Sequence, residues 1–335
     1  MSEPLLELRS VSTELEIQGR HWPVLSDVSF SVGRGEVVGL VGESGSGKSM
    51  TARTILQLLP PGARSRGEIL LDGVDLLQAG PRTLREVRAH GIGMIFQDPR
   101  AHVDPLWTVD DHITEGLRVH KGMGRAAARG RALELLADVG IADPERVLGS
   151  YPWELSGGML QRVMIAGALA GGPDLIVADE PTTALDVTIQ AEIVAIFDGL
   201  RREFELAMLF ITHDLELASA ICDRVVVLYA GRVMEEQTTA SLFAAPLHPY
   251  TAGLLSARPR LDARHDRLTV IPGRPPTVLE ALPGCPFYPR CSFAQDACLA
   301  EVPPLRRIES GSSSACLRVS QIRADLRPEG VARDV

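Results

Sequence analysis

Gly42-Glu43-Ser44-Gly45-Ser46-Gly47-Lys48-Ser49 fits the pattern G-x-x-x-x-G-K-S. A continuous apolar run, Val37–Val41, precedes it and suits a buried central strand; a helical stretch, residues 50–59, follows. Glycines let the backbone wrap so that several N–H groups point at one phosphate, and the next helix adds the positive end of its dipole. Lys48 places its charge on the β- and γ-phosphates, and the Ser49 hydroxyl is a Mg2+ ligand; Gly42, Glu43, Ser44, Gly45, Ser46, Gly47 and Met50 complete the candidate binding set. Lys48 and Lys121 are the chain's lysines, the other long basic side chains being Arg, so a lysine in this loop is informative.

The complement lies downstream. Leu175-Ile176-Val177-Ala178-Asp179-Glu180 is an apolar strand ending in two acids, which delivers carboxylates to the edge of a nucleotide site. Asp179 would act through Mg2+, and Glu180 would orient or deprotonate the attacking water. Alone the pair is a weak signal; with the glycine loop it is strong.

Around these motifs the chain alternates. Residues 5–11 and 26–32 read as strands, and residues 67–76 as a hairpin turning at Asp72-Gly73. Residues 92–96 form another short apolar run. From about residue 98 to 171 the pattern is helical, with segments ending at Gly140 and Gly171. Strands at 175–178 and 208–212 flank a crossover helix at 188–204, which implies parallel pairing, and 225–236 closes as a hairpin. Past residue 244 prolines cluster, Pro259 among them, with four of the five cysteines, marking an extension with little regular structure held by something other than a large core. The expected architecture is an α/β P-loop NTPase with a mostly parallel core sheet. It carries an N-terminal antiparallel β subdomain, an inserted helical subdomain (about 98–171) and an irregular Cys/Pro-rich extension. Residues 1–244 form the nucleotide domain and 245–335 the extension.

Composition bounds the partners. With 335 residues and 45% hydrophobic side chains, about two domains and a sizeable core are expected. The net charge of −9 argues against the nucleic-acid backbone as main partner. No apolar run approaches the roughly 18–20 residues that cross a bilayer. The acidic N-terminus lacks an apolar signal core. A cytoplasmic protein is expected, with any spanning segments on other chains.

Here a resemblance becomes specific. Leu155-Ser156-Gly157-Gly158-Met159-Leu160-Gln161-Arg162 resembles the signature motif of ABC-transporter ATPases. Gln97, Ala184-Leu185-Asp186 and His213 resemble that family's Q-loop, D-loop and switch histidine, in family order. The resemblance implies a head-to-tail dimer in which ATP lies between one subunit's glycine loop and the other's signature helix, at Ser156, Gly157, Gly158 and Gln161. It implies that Gln97 senses Mg2+, that Asp186 belongs to the D-loop, and that His213 holds the γ-phosphate and the Glu180-bound water in register. Trp22 is the candidate for stacking on adenine, with surface packing the equal alternative. Partners would be a second ATPase subunit, two transmembrane permeases and, indirectly, an extracytoplasmic binding protein, with no nucleic acid; the location would be peripheral, on the cytoplasmic face of the membrane.

The resemblance narrows to the peptide-import ATPases (oligopeptide, dipeptide and nickel type) through Gln97-Asp98-Pro99, Tyr151-Pro152, the stretch 179–188, His248-Pro249-Tyr250-Thr251, Gly284-Cys285-Pro286-Phe287 and Pro289-Arg290-Cys291. Two stretches depart from it. Residues 98–105 run D-P-R-A-H-V-D-P where the family has D-P-x-x-x-L-N-P, and Met159-Leu160 stands for Met-Arg. A rival class is a soluble ABC-type ATPase of DNA repair or translation. The interval from Gly42 to Asp179 leaves no room for the former's long coiled coil, and one nucleotide domain with net negative charge does not suit the latter. A GTPase is disfavoured because neither lysine follows an asparagine.

Cys222 reads as a small core residue. Cys285, Cys291, Cys298 and Cys316 lack the C-x-x-C pairs of common zinc sites; in a cytoplasmic, Pro-rich segment, metal ligation suits them better than disulfides. The resemblance implies a [4Fe–4S] cluster there, with Zn2+ and free thiols as alternatives. Arg290, beside Cys291, reads as a solvated side chain, with backbone carbonyls or a partner subunit as other contacts.

Overall fold

Two long antiparallel strands, β1 (Leu6–Ile17) and β2 (Arg20–Val32), open the chain. The computed structural model describes residues 3–183, 185–257, 270–280, 283–309 and 311–327, so Ala184 and Pro259 lie outside the described residues. Gln18 and Gly19 join the strands at φ values of 53° and 74°, the positive pair a tight hairpin turn requires. The strands run well past the alternating residues 5–11 and 26–32, because register shifts interrupt the alternation between Leu8 and Glu14. Next come β3 (Val37–Val41), α1 (Lys48–Ile55), β4 (Arg64–Leu71) and β5 (Val74–Asp75), the last two turning at Asp72-Gly73 as the sequence predicts. One sheet is ordered β2-β1-β4-β5.

α2 (Pro81–Glu86) leads through a π-helical turn into β6 (Ile92–Ile95). The helical segment follows: α3 (Pro99–His102), α4 (Val109–Val119), α5 (Arg125–Asp138), α6 (Pro144–Leu148) and α7 (Gly157–Ala170). Side-chain caps start four of these helices, from Asp98, Thr108, Asp143 and Ser156. The chain returns to strands with β7 (Leu175–Asp179), α8 (Val187–Phe204), β8 (Ala207–Thr212), α9 (Leu215–Ile221), β9 (Arg224–Tyr229) and β10 (Arg232–Thr238).

The second sheet is ordered β11-β12-β10-β9-β3-β8-β7-β6, where β11 (Arg306–Glu309) and β12 (Ser312–Ser314) come from the extension. From β9 to β6 all pairs are parallel, and β10 and β12 add antiparallel edges. The parallel strands are buried on both faces, which is why β3 and β8 read as unbroken apolar runs. Alternate residues of β3 serve two cores. Val38 and Leu40 pack with the antiparallel sheet, while Val37 and Val41 pack with the helical segment. Among the described residues no helix is long and apolar enough to cross a membrane.

The extension corrects one expectation. After α10 (Thr239–Ala244) closes the nucleotide domain, it contains α11 (Pro249–Ser256), α12 (Ala297–Ala300) and α13 (Val319–Ile322), and β12 continues the main sheet through Glu235↔Ser314. Tyr250, Cys285 and Phe287 belong to the core of the nucleotide domain. Isolated aromatics in a Pro-rich stretch bury as effectively as a periodic helix face, but leave no pattern to read.

One buried acid fastens this segment. Glu235 of β10 is fully buried and accepts hydrogen bonds from the Leu247 and His248 N–H groups (2.7 and 2.9 Å) and from the Gln237 amide (2.6 Å). Burial outweighs these donors and pushes its carboxyl up to about 7. A carboxyl that holds its proton longer folded than unfolded favours the native state at low pH. That advantage fades as pH rises from the ordinary carboxylate range towards 7. We predict that urea unfolding across that window shows the wild type losing stability relative to Glu235→Gln, by up to ~3 kcal/mol. A constant difference would refute this role.

Candidate nucleotide site

The loop after β3 is held from outside at Gly42 and Gly47. A Cβ on Gly42 would lie 2.2 Å from the Leu228 carbonyl oxygen, and one on Gly47 would lie 2.9 Å from Leu25. Gly45 and Gly47 take φ values of 79° and 106°, and Gly47 caps α1. The Gly231 N–H donates to the Ser46 carbonyl (2.8 Å), so the β9–β10 hairpin supports the loop from behind.

Lys48 is buried, and its ammonium bridges the Gly42 and Glu43 carbonyls (2.8 and 3.1 Å). Burial draws its pKa below the ordinary lysine value, against the pull of Glu180 at 3.6 Å. The Ser49 hydroxyl donates to buried Asp179 (2.9 Å), whose carboxyl is raised by burial despite that bond. These oxygens are the hard donors that suit Mg2+.

Glu180 sits where β7 ends, at φ 47°, a left-handed backbone that is costly for a side chain. Its N–H donates to the Ile211 carbonyl (2.9 Å), pinning the turn to β8. The Gln97 amide and the Thr183 hydroxyl donate to Oε2 at 3.0 and 2.9 Å, and His213 Nδ1 lies 3.3 Å from the same oxygen. Burial opposes ionisation, but the Thr183 hydroxyl, the Lys48 ammonium and the His213 ring outweigh it and hold the carboxyl below its ordinary value. Gln97, Lys48, Asp179, Glu180 and His213 therefore lie together in one cluster. Thr183 escaped sequence reading because a lone threonine carries no signal.

Ser156 caps α7, its oxygen accepting from the Met159 N–H (3.3 Å), and Asp186 caps α8 by accepting from the Ile189 N–H (3.0 Å). Gly158 faces Ile189, where a Cβ would lie 3.0 Å away. Gln161 is buried, with its amide nitrogen unpartnered. Trp22 is half-buried on β2, opposite Leu15. A groove of about 710 Å3 opens beside β6 and the helical segment, lined by Arg85, Arg88, Phe96, His102, His112 and His120. The Phe96 and His102 rings in its lining stack, 4.1 Å apart.

Cys285, Cys291, Cys298 and Cys316 line one small apolar cavity. Backbone N–H groups of Phe287, Phe293 and Arg318 donate to the sulfurs of Cys285, Cys291 and Cys316, each two residues on. Burial nonetheless pushes Cys285 and Cys316 up to about 11. Donor chemistry and N–H···S bonds fit four-thiolate ligation. As the side chains stand, however, no group of three or more His, Cys, Asp or Glu among the described residues is drawn into a ligand set. Cys222 packs against Gly39 as a core residue.

The fold and the phosphate loop facing paired acids define an ATP-binding cassette, and the comparisons agree. Residues 25–183 match the ABC transporter family, and residues 234–298 match the oligopeptide/dipeptide transporter C-terminal region. A peptide ABC transporter ATP-binding protein of Sinorhizobium fredii is 46% identical, covering 95% of this chain and 96% of its own. A peptide import ATP-binding protein of Brucella melitensis is 45% identical over 96% of this chain and 99% of its own. The dimeric cassette MJ0796 bound to ADP and Pi is 31% identical, with a TM-score of 0.63, covering 70% of this chain and 98% of its own. The chain belongs to the ABC-transporter ATPases. Within them it carries the C-terminal region of the oligopeptide/dipeptide branch.

Gly42→Ala tests the loop's dependence on its surroundings. Forcing a methyl against the Leu228 carbonyl is expected to cost about 1–3 kcal/mol in urea unfolding. Wild-type stability would mean that the loop is not gripped there.

Proposed function

We propose that this chain is the energy-coupling ATPase of an importer for di- or oligopeptides, working as a peripheral subunit on the cytoplasmic face of a membrane with two permeases. The observation that carries the reading is the length of the likeness. Relatives named for peptide transport or import match both the nucleotide domain and the extension, over 95% and 96% of this chain. The groove lined by Phe96 supports a permease contact, since the next residue, Gln97, bonds Glu180.

In the reaction, Gly42–Ser49 cradles the phosphates and Lys48 turns from its own loop's carbonyls to the β- and γ-oxygens. Ser49, Asp179 and Gln97 would hold Mg2+, which neutralises developing phosphate charge. Glu180 stays ionised and accepts the proton of the attacking water, with His213 keeping acid and γ-phosphate in register. The N-terminus of α7, at Ser156, Gly157 and Gly158, faces the ATP of a second ATPase subunit, and Asp186 orders the adjoining turn. Burial of Gln161 in its own helix supports a role in placing that terminus rather than touching phosphate.

Glu180→Gln is expected to cut turnover of the assembled transporter at least about 100-fold while ATP still binds. Unchanged hydrolysis would remove Glu180 from the reaction.

We further propose that Cys285, Cys291, Cys298 and Cys316 hold an iron–sulfur cluster, of the [4Fe–4S] type, with Zn2+ as the other four-thiolate occupant. The shared cavity and the N–H···S bonds support this. Anaerobically purified protein should be brown, and replacing any one of the four by Ser should bleach it. Because the thiols must lose protons to ligate, loading should weaken on acidification. A colourless protein with stoichiometric zinc would assign the site to Zn2+.

A further inference from the structure

Residue 43 of the phosphate loop is held from several sides, and two of its holders come from the extension. Its N–H donates to the Tyr250 hydroxyl (2.9 Å) on α11. Its carbonyl accepts from Lys48 (3.1 Å) and from the Ser46 N–H (3.2 Å). Its carboxylate takes a two-pronged ion pair from Arg290, Nη1 to Oε2 at 2.5 Å and Nη2 to Oε1 at 2.9 Å.

Arg290 does not lie in solvent as its sequence position suggests. Its side chain is 4% exposed. Its Nε donates to the Pro272 carbonyl (2.9 Å), Nη1 also reaches the Tyr229 hydroxyl (3.3 Å), and the guanidinium lies over the Tyr229 and Phe287 rings. The arginine is therefore fixed on its own side before it meets Glu43. It ends the turn Tyr288–Arg290, directly before Cys291.

We infer that Arg290 is a positioning residue of the nucleotide site: through Glu43 it sets the shape of the phosphate loop and neutralises a carboxylate that would otherwise repel the triphosphate. The inference rests on the nucleotide-site reading above. It makes the extension a working part of the ATPase as well as an appendage to the sheet. A planar two-pronged pair fixes direction as well as distance, so an ammonium on the same stem does not replace it.

The test is Mg-ATP affinity measured on the purified full-length chain. Arg290→Gln should raise the ATP Kd about tenfold, and Arg290→Lys about threefold. If Arg290 acts through Glu43, Arg290→Gln in a Glu43→Gln background should change the Kd no more than about twofold, because the partner it serves is already neutral. A residue that only props up the fold would lower thermal stability equally in both backgrounds and leave the Kd of folded protein alone. Should Arg290→Gln fail to fold, the lysine variant in the same two backgrounds carries the test. An unchanged Kd, or an equal loss in both backgrounds, overturns the inference. Lys48→Ala serves as the control: normal ATP affinity in that variant would defeat the nucleotide-site reading itself, whereas weak binding there beside normal binding in the Arg290 variants would defeat the inference alone.

Discussion

The demand that shapes this molecule is to fold a backbone tightly around a dense negative charge. N–H groups can converge on a phosphate only if the chain curls, and the curl needs glycine where side chains have no room. Gly42 lies against the Leu228 carbonyl and Gly47 against Leu25, while Ser46 is tied to Gly231. The loop's shape is thus set by β2 and by the β9–β10 hairpin. Both sheets of the fold have to be assembled before the phosphate site exists.

The same crowding arranges the chemistry. Buried Lys48 needs acceptors, and its own loop's carbonyls and Glu180 supply them. In the reaction proposed above, a triphosphate supplies stronger acceptors and takes the place of these internal partners. Glu180 is pinned independently of Lys48, through Thr183, Gln97 and the backbone bond to Ile211. Ionisation survives burial because the Thr183 hydroxyl, the Lys48 ammonium and the His213 ring favour the charged form.

Much of this was legible beforehand, for physical reasons. The loop and the acid pair are short-range patterns whose chemistry allows few residue types, and buried parallel strands announce themselves as apolar runs. The Ser156 cap is legible for the same local reason. What escaped was long-range. Arg290 meets Glu43 across 247 residues of chain, Glu235 meets the N–H groups of residues 247 and 248, and β12 joins β10. No periodicity encodes such meetings. Prolines and scattered aromatics in the extension also conceal a core contribution that has no repeat, and residues 12–25 hide strands behind register shifts.

The central claim is that ATP is completed by two subunits, with the phosphates on Lys48 of one and the signature segment of the other. A structure of the assembled transporter, with Glu180 replaced by Gln and Mg-ATP bound, addresses it directly. The account predicts the γ-phosphate between the Gly42–Ser49 loop of one ATPase subunit and the N-terminus of the signature helix of its neighbour. A nucleotide wholly enclosed by one subunit, with the neighbour's signature helix turned elsewhere in the closed assembly, would contradict it.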